Sequence, residues 1–292
     1  MEIVRLMRPW QWVKNLFVFL PMFFSGHMGD WGCWIVALIG FCAMCLVASS
    51  IYCLNDIVDV EENRNHPRKR FRPVAKGSVS VRLASIASLL LTAGGGAILF
   101  MLPSFQIALT ALALVGSYYV MNCAYCLFLK RIAIVDVFCI STGFVLRIFV
   151  GGMVCGIWIS PWLVCLTFLL TLFLAFAKRR DDILMQSRDN VVARKSASQY
   201  NMPFMNQTLG LLGAITVVCY ILYTVQPEVE ERLGTEWVYL TSVFVLAGIL
   251  RYLQIAIVDE KSGDPTSILL KDRFIQGCVL LWSLSYMVII YI

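Results

Sequence analysis

GCWIVALIGFCAMCLVASSIYCL (32–54), running directly into NDIVDVEENRNHPRKRFRPVAKG (55–77), decides the fold class. The first stretch carries no charge and is as long as a bilayer-spanning helix, which needs about 20 apolar residues. The second opens on carboxylates and closes on cations, so the chain leaves the apolar phase abruptly. Comparable apolar segments recur near 12–26, 83–102, 104–127, 132–151, 160–177, 207–225, 236–257 and 274–292, giving nine expected membrane helices. The first is short and contains Lys14, Asn15 and Pro21, which leaves eight as the competing count. A membrane β-barrel would instead show segments of about ten alternating residues. With 60% hydrophobic and 14% charged residues among 292, the composition is far from a soluble domain, where about 25% are charged. The expected fold is all-α and polytopic, one intramembrane domain over 1–292 with polar loops near 55–82, 178–205 and 258–273.

Charge placement orients this map, because Lys and Arg accumulate on the cytoplasmic side of short loops. With the N-terminus inside, 22 of the 24 basic residues fall at the inner face. Arg232 is outside in an acidic turn with Glu228, Glu230, Glu231 and Glu236, and Arg147 lies within a helix. The net charge of +6 therefore suits anionic lipid headgroups and anionic substrates. No soluble module for nucleic acid is present. MEIVRLMRPWQWVKN at the N-terminus places charges among aromatics and is expected to belong to the mature chain. Most of the 11 cysteines sit inside apolar runs without zinc-type pairing and read as small core residues. Gly94, Gly95 and Gly96 lie at membrane depth, where close helix packing is their expected use.

The chemistry concentrates after the second apolar run. Asp56 and Asp59 are three residues apart, hence on one helix face, with Asn55 beside them. Two carboxylates converging at a membrane surface suit Mg²⁺, which keeps several waters and takes further oxygens from a substrate phosphate; Mn²⁺ is the natural substitute. Lys69, Arg70, Arg72 and Lys76 follow within reach of the same phosphates, and the cluster reads as a pyrophosphate site. The bland alternative is a solvated helix end. Farther along, Asp136 and Arg147 are eleven residues apart, about three helical turns, and project from nearly the same face. Ionisable groups at that depth should meet a cavity or a partner. Lys178, Arg179 and Arg180 read either as inner-face anchors or as substrate contacts, with Asp181 and Asp182 placed for a second metal or ribose contact. The two acidic motifs follow the second and sixth segments, consistent with two similar four-helix halves.

Asn-Asp-x-x-Asp followed by HP, KR, RP and AKG resembles the first aspartate-rich motif of the UbiA-type intramembrane prenyltransferases, and most resembles their polyprenyl-phosphate phosphoribosyltransferase branch, typified by decaprenyl-phosphate phosphoribosyltransferase. RPWQWVKN (8–15), LKRIAIVDVFCISTGFVLRIFVGG (129–152), FAKRRDDI (176–183) and LRYLQIAIVDEKSGDPTSILLKDRFIQ (250–276) carry the same resemblance in the same order. It implies a helical bundle with a central cavity open to the cytoplasmic side, in a prokaryotic plasma (inner) membrane. It also implies Mg²⁺-dependent transfer of 5-phosphoribose from phosphoribosyl pyrophosphate to a polyprenyl phosphate, releasing pyrophosphate; membrane lipids surround the enzyme and an oligomer is compatible.

In that reading Asp56 and Asp59 hold the metal, joined by Asn55 and by Asn63. Asn63 stands where the family pattern has a third acidic residue, which leaves the number of ions open. Lys69, Arg70 and Arg72 would neutralise the leaving group, Lys14 and Arg147 would contact phosphate, and Asp181 or Asp182 would bind ribose or a second ion. Asn15, His66, Lys130, Asp136, Lys178, Arg179, Arg180, Asp272 and Arg273 complete the expected substrate contacts. The nucleophile is already an anion, so no strong general base is needed. The alternatives are prenyl transfer to an aromatic or other small acceptor, and a transporter or lipid flippase. The charge map predicts that Lys69, Arg180 and Lys261 label from the inner side and Glu230 from the outer side when each is replaced by the single cysteine of a cysteine-free chain. Labelling of positions 69 and 230 from one side would overturn the map.

Overall fold

The computed structural model describes residues 2–65, 69–189, 199–260 and 265–291. Within them every regular element is helical, as a chain that must satisfy its backbone inside lipid requires. Contacts divide the chain into two compact units, Met1–Ile159 and Ser160–Ile292. The first unit begins with α1 (Glu2–Met7), a 3₁₀ helix (Pro9–Phe19) and α2 (Leu20–Phe24). It continues with α3 (Trp31–Val58), the short α4 (Val60–Arg64), α5 (Val81–Ile98), α6 (Phe105–Leu127) and α7 (Val135–Cys155). The second holds α8 (Pro161–Asp189), α9 (Met202–Thr224), α10 (Pro227–Leu233), α11 (Ser242–Ile257), α12 (Pro265–Lys271) and α13 (Arg273–Tyr291).

Eight helices among the described residues are long and apolar enough to cross a membrane, four in each unit. The molecule is an integral membrane protein, and the described residues hold eight such helices where nine were expected. The missing one, near 12–26, is the 3₁₀ helix and α2. A 3₁₀ helix rises about 2.0 Å per residue against 1.5 Å for an α-helix. The segment therefore extends farther than its residue number suggests, and it lies antiparallel along α3. Trp12 Nε1 donates to Ser49 Oγ (3.0 Å), Asn15 Nδ2 to Cys45 Sγ (3.1 Å), and the Phe19 ring lies 5.4 Å from Phe41 and 5.6 Å from Trp34.

In the first unit α3 is central and packs on α5, α6, α7 and the 3₁₀ helix. Its fully buried Ala43, Met44 and Val47 join Val18, Ala108, Ala111 and Val150 in one apolar core. A smaller cluster at the other end joins Leu6 of α1 to Cys53, Val74, Val79 and Ala84. In the second unit α8 packs on α9 and α11 on α13. α8 overshoots the expected boundary at 177 by twelve residues. Lys178–Asp182 therefore lie on a helix and not in a loop, because Lys and Arg are good helix formers and Arg179 pairs with Asp182 one turn on. His66 and Lys261 lie outside the described residues.

Small residues set the closest approaches. A Cβ on Gly95 would lie 2.7 Å from Val47 Cγ2, which bears out the packing role expected there, while one on Gly94 would meet nothing nearer than 3.9 Å. Gly151 of α7 is more restrictive, since its Cβ would fall 1.9 Å from the carbonyl oxygen of Val18. Overfilling a packed site costs about 1–3 kcal/mol. Gly151→Ala is therefore expected to lower the melting temperature of the purified protein in detergent by several degrees, with Gly94→Ala unchanged; equal melting of the two variants would refute the close contact.

Candidate functional site

The first unit brings a set of ionisable residues together at the end of α3. Asp56 lies on the last turn of that helix, 1% exposed, and its Oδ1 accepts from Arg8 Nη2 (2.5 Å) and Arg72 Nη1 (3.1 Å). Arg72 Nη1 also donates to Asn63 Oδ1 (3.3 Å). Asp59 sits where α3 breaks into α4 and accepts from the buried ammonium of Lys130. Two carboxylates, three cations and one amide thus converge from four stretches of chain. Arg8 reaches Asp56 from a left-handed backbone (φ 54°) at the start of the 3₁₀ helix, with its guanidinium 5.1 Å from the Tyr52 ring centre. Such a conformation is strained for a side chain other than glycine and needs surrounding contacts to fix it.

Two polar atoms of this cluster are buried without a hydrogen-bond partner among the described residues, Asp56 Oδ2 and Asn63 Nδ2. A carboxylate oxygen shielded from water and lacking a donor is a place for a cation. Asp56, Asp59 and the neighbouring amide of Asn55 form an all-oxygen donor set, which suits Mg²⁺ that retains water and takes phosphate oxygens. No group of three or more His, Cys, Asp or Glu side chains able to hold a metal occurs among the described residues. The protein would therefore supply only part of the coordination sphere.

Arg147 stands apart from this cluster. It is 5% exposed, and its Nε donates to Asn15 Oδ1 (2.7 Å), Nη1 to the Gly143 carbonyl (2.6 Å) and Nη2 to Tyr118 Oη (2.8 Å). The rings of Tyr118 and Phe144 flank it at 4.8 and 5.1 Å. Each nitrogen has a neutral acceptor, so this buried cation fastens the 3₁₀ helix to α6 and α7. Asp136 is fully buried in the first turn of α7. Lys14 and Lys69 are half-buried, and Arg70 is exposed beside the Phe71 ring.

In the second unit Arg179 donates to Asp182 (2.7 Å), and buried Arg180 to Asn206 Oδ1 (2.8 Å) and the Ala256 carbonyl (2.5 Å). Asp181 is buried and Lys178 half-buried. Asp272 caps α13 through the Ile275 amide (2.9 Å) and pairs with Arg251 (2.8 Å). The hydrogen bonds from Arg251 hold its carboxyl below the usual carboxylate range. Arg273 is exposed. Sequence reasoning gave no site role to Arg8, which it counted as an inner-face charge and as the first residue of RPWQWVKN, or to Tyr118. Arg8 carried one signal, an arginine immediately before a proline at the start of an apolar segment; nothing marked Tyr118.

These features define an α-helical integral membrane protein with a buried acid–cation cluster at one end of its first unit. Residues 16–284 match the model of the UbiA prenyltransferase family, and the chain belongs to that family. It is 33% identical over 291 residues to decaprenyl-phosphate phosphoribosyltransferase of Mycolicibacterium smegmatis, covering 96% of this chain and 89% of that protein. To the protein of the same name from Corynebacterium glutamicum it is 31% identical over 296 residues, covering 99% and 87%. Among solved structures it is similar to a UbiA homolog from Archaeoglobus fulgidus bound to GPP and Mg²⁺, with TM-score 0.70 at 18% identity over the whole of both chains. That likeness bears on the fold.

If Arg147 fastens the 3₁₀ helix through Asn15, removing either partner should cost the same interaction once. Arg147→Met and Asn15→Leu are each expected to lower the detergent melting temperature, and the double variant to lower it by clearly less than the sum, as residues in direct contact do. Additive losses would separate the two side chains.

Proposed function

We propose that this protein transfers 5-phosphoribose from phosphoribosyl pyrophosphate to a polyprenyl phosphate at the cytoplasmic face of a bacterial plasma membrane, releasing pyrophosphate. The observation that carries the reading is the buried Asp56 carboxylate, with one oxygen bound by two guanidinium groups and the other open to a cation. The names of the mycobacterial and corynebacterial relatives support the choice of reaction within the family. In the reaction a phosphate oxygen of the lipid forms a bond to the anomeric carbon of the ribose. The bond from that carbon to the pyrophosphate oxygen breaks, and pyrophosphate leaves with the electron pair. Both substrates are anions, so the site's first task is to lower their mutual repulsion.

Asp56 and Asp59, with Asn55, would hold Mg²⁺, which when bound neutralises the donor's pyrophosphate. Arg8, Arg72 and Lys130, now paired with the two carboxylates, are the cations available to phosphate oxygens. Guanidinium suits that task because its planar fork matches two oxygens at once. The lipid acceptor is already ionised, so no side chain need remove a proton from it. Prenyl transfer from a polyprenyl pyrophosphate would use the same cluster, and the similarity to a GPP-bound homolog favours it as the second reading.

Asp59→Asn removes one of two anionic ligands and the partner of Lys130. It is expected to abolish Mg²⁺-dependent pyrophosphate release from phosphoribosyl pyrophosphate in the presence of polyprenyl phosphate, with partial rescue by Mn²⁺ at most. An active variant would remove the centre of the mechanism. Release from polyprenyl pyrophosphate by the wild type, and not from phosphoribosyl pyrophosphate, would select prenyl transfer.

A further inference from the structure

Asn63 lies in α4, 2% exposed, one turn beyond Asp59. Arg72 has only donors to offer, so the amide atom 3.3 Å from its Nη1 is the oxygen, and this fixes which way the amide faces. The other amide atom, Nδ2, is thereby a donor, and it is buried without a partner among the described residues. A buried donor left unmatched is unfavourable, so it calls for an acceptor. Asp56 Oδ1 and Asn63 Oδ1 are bound by the same Arg72 nitrogen, at 3.1 and 3.3 Å, so both side chains gather at one guanidinium, and each keeps one buried polar atom open. The open carboxylate oxygen calls for a cation and the open amide donor for an oxygen acceptor. A metal-bound phosphate presents both at once.

We infer that Asn63 is a substrate-binding residue that donates Nδ2–H to a phosphate oxygen of the pyrophosphate group, and that it is not a ligand of the metal. The assignment deepens the phosphoribosyltransferase reading and rests on it only for the identity of the molecule carrying that group. Asn63 differs in kind from the acid it replaces. A carboxylate at this position could only accept, and would serve a cation; the amide serves an anion while its oxygen still holds Arg72. The site gives up one negative charge where its ligand carries several.

Asn63→Asp is the discriminating variant, because it keeps the oxygen that Arg72 requires while it exchanges the donor for a second acceptor and adds a negative charge. Inorganic pyrophosphate binding to the purified full-length protein, measured calorimetrically with Mg²⁺ present, should weaken at least about tenfold in Asn63→Asp and about tenfold in Asn63→Ala, the loss of one hydrogen bond to a charged group. Mn²⁺ binding without pyrophosphate, followed by electron paramagnetic resonance, should be unchanged in Asn63→Ala. Melting temperatures near that of the wild type would show that both variants fold. Undiminished pyrophosphate affinity in either variant, or weaker Mn²⁺ binding by Asn63→Ala, would overturn the assignment and make Asn63 a metal ligand or a packing residue. If pyrophosphate binding depends on Asn63 while wild type turns over no phosphoribosyl pyrophosphate, the donor role stands and the phosphoribosyl reading falls.

Discussion

The first unit depends on one buried anion. Asp56 is almost without solvent contact and lies at the end of a helix that is otherwise apolar. Its charge is tolerable there only because two guanidinium groups reach it, one from 48 residues before it and one from 16 residues after. Removing one partner of a buried ion pair typically costs about 3–5 kcal/mol, since the other charge is then stranded. The start of the 3₁₀ helix, the end of α3 and the stretch around Arg72 are consequently conditions for one another. The left-handed backbone at Arg8 is understandable in these terms, because a local strain of about 1–3 kcal/mol is offset by the pairing it permits.

The same dependence explains an 11-residue 3₁₀ helix, an uncommon length for a conformation usually limited to three or four residues. With three residues per turn, Trp12, Asn15 and Val18 stack in one row; in an α-helix they would spiral off it by about 60° each turn. That row is what meets the rest of the unit. Trp12 and Asn15 bond to Ser49 and Cys45 of α3, Asn15 is gripped by Arg147 of α7, and the Val18 carbonyl occupies the space left by Gly151. A tighter, longer helix costs backbone hydrogen-bond quality, and these side-chain bonds and close contacts compensate for it. Arg8 is carried to Asp56 on the end of this element.

Much of the fold could be read from apolar run length, because a bilayer fixes how long a helix must be and charge placement fixes where it stops. What escaped that reading was structure set by partners distant in sequence. The 3₁₀ geometry has no pattern of its own in PWQWVKNLFVF, since its row of contacts is defined by residues on α3 and α7. α8 ran past its apolar boundary because helix propensity and the Arg179–Asp182 pair continue a helix that hydropathy alone would end. In the cluster, Asp56, Asp59, Arg72 and Lys130 were all expected at the site, while their pairing was not visible, since Lys130 lies 71 residues from Asp59. Spacing placed Asp136 and Arg147 on one helix face, and it could not show that Arg147 would find Asn15, Tyr118 and a backbone carbonyl.

Satisfaction of hydrogen bonds separates the carboxylates more sharply than their position in a motif. Asp182 is met by a cation on its own helix, and Asp272 divides its two oxygens between the cap of α13 and Arg251. For Asp272 these contacts account for a visible structural task, joining the start of one helix to the side of another. Asp56 differs because its two cations crowd one oxygen and leave the other buried and open. Packing alone gives no reason for that asymmetry, since an anion placed only for stability gains most when both oxygens are bound. In the proposed reaction an incoming cation would supply the reason, because it would restore the missing partner and would also release guanidinium groups to the anion it brings.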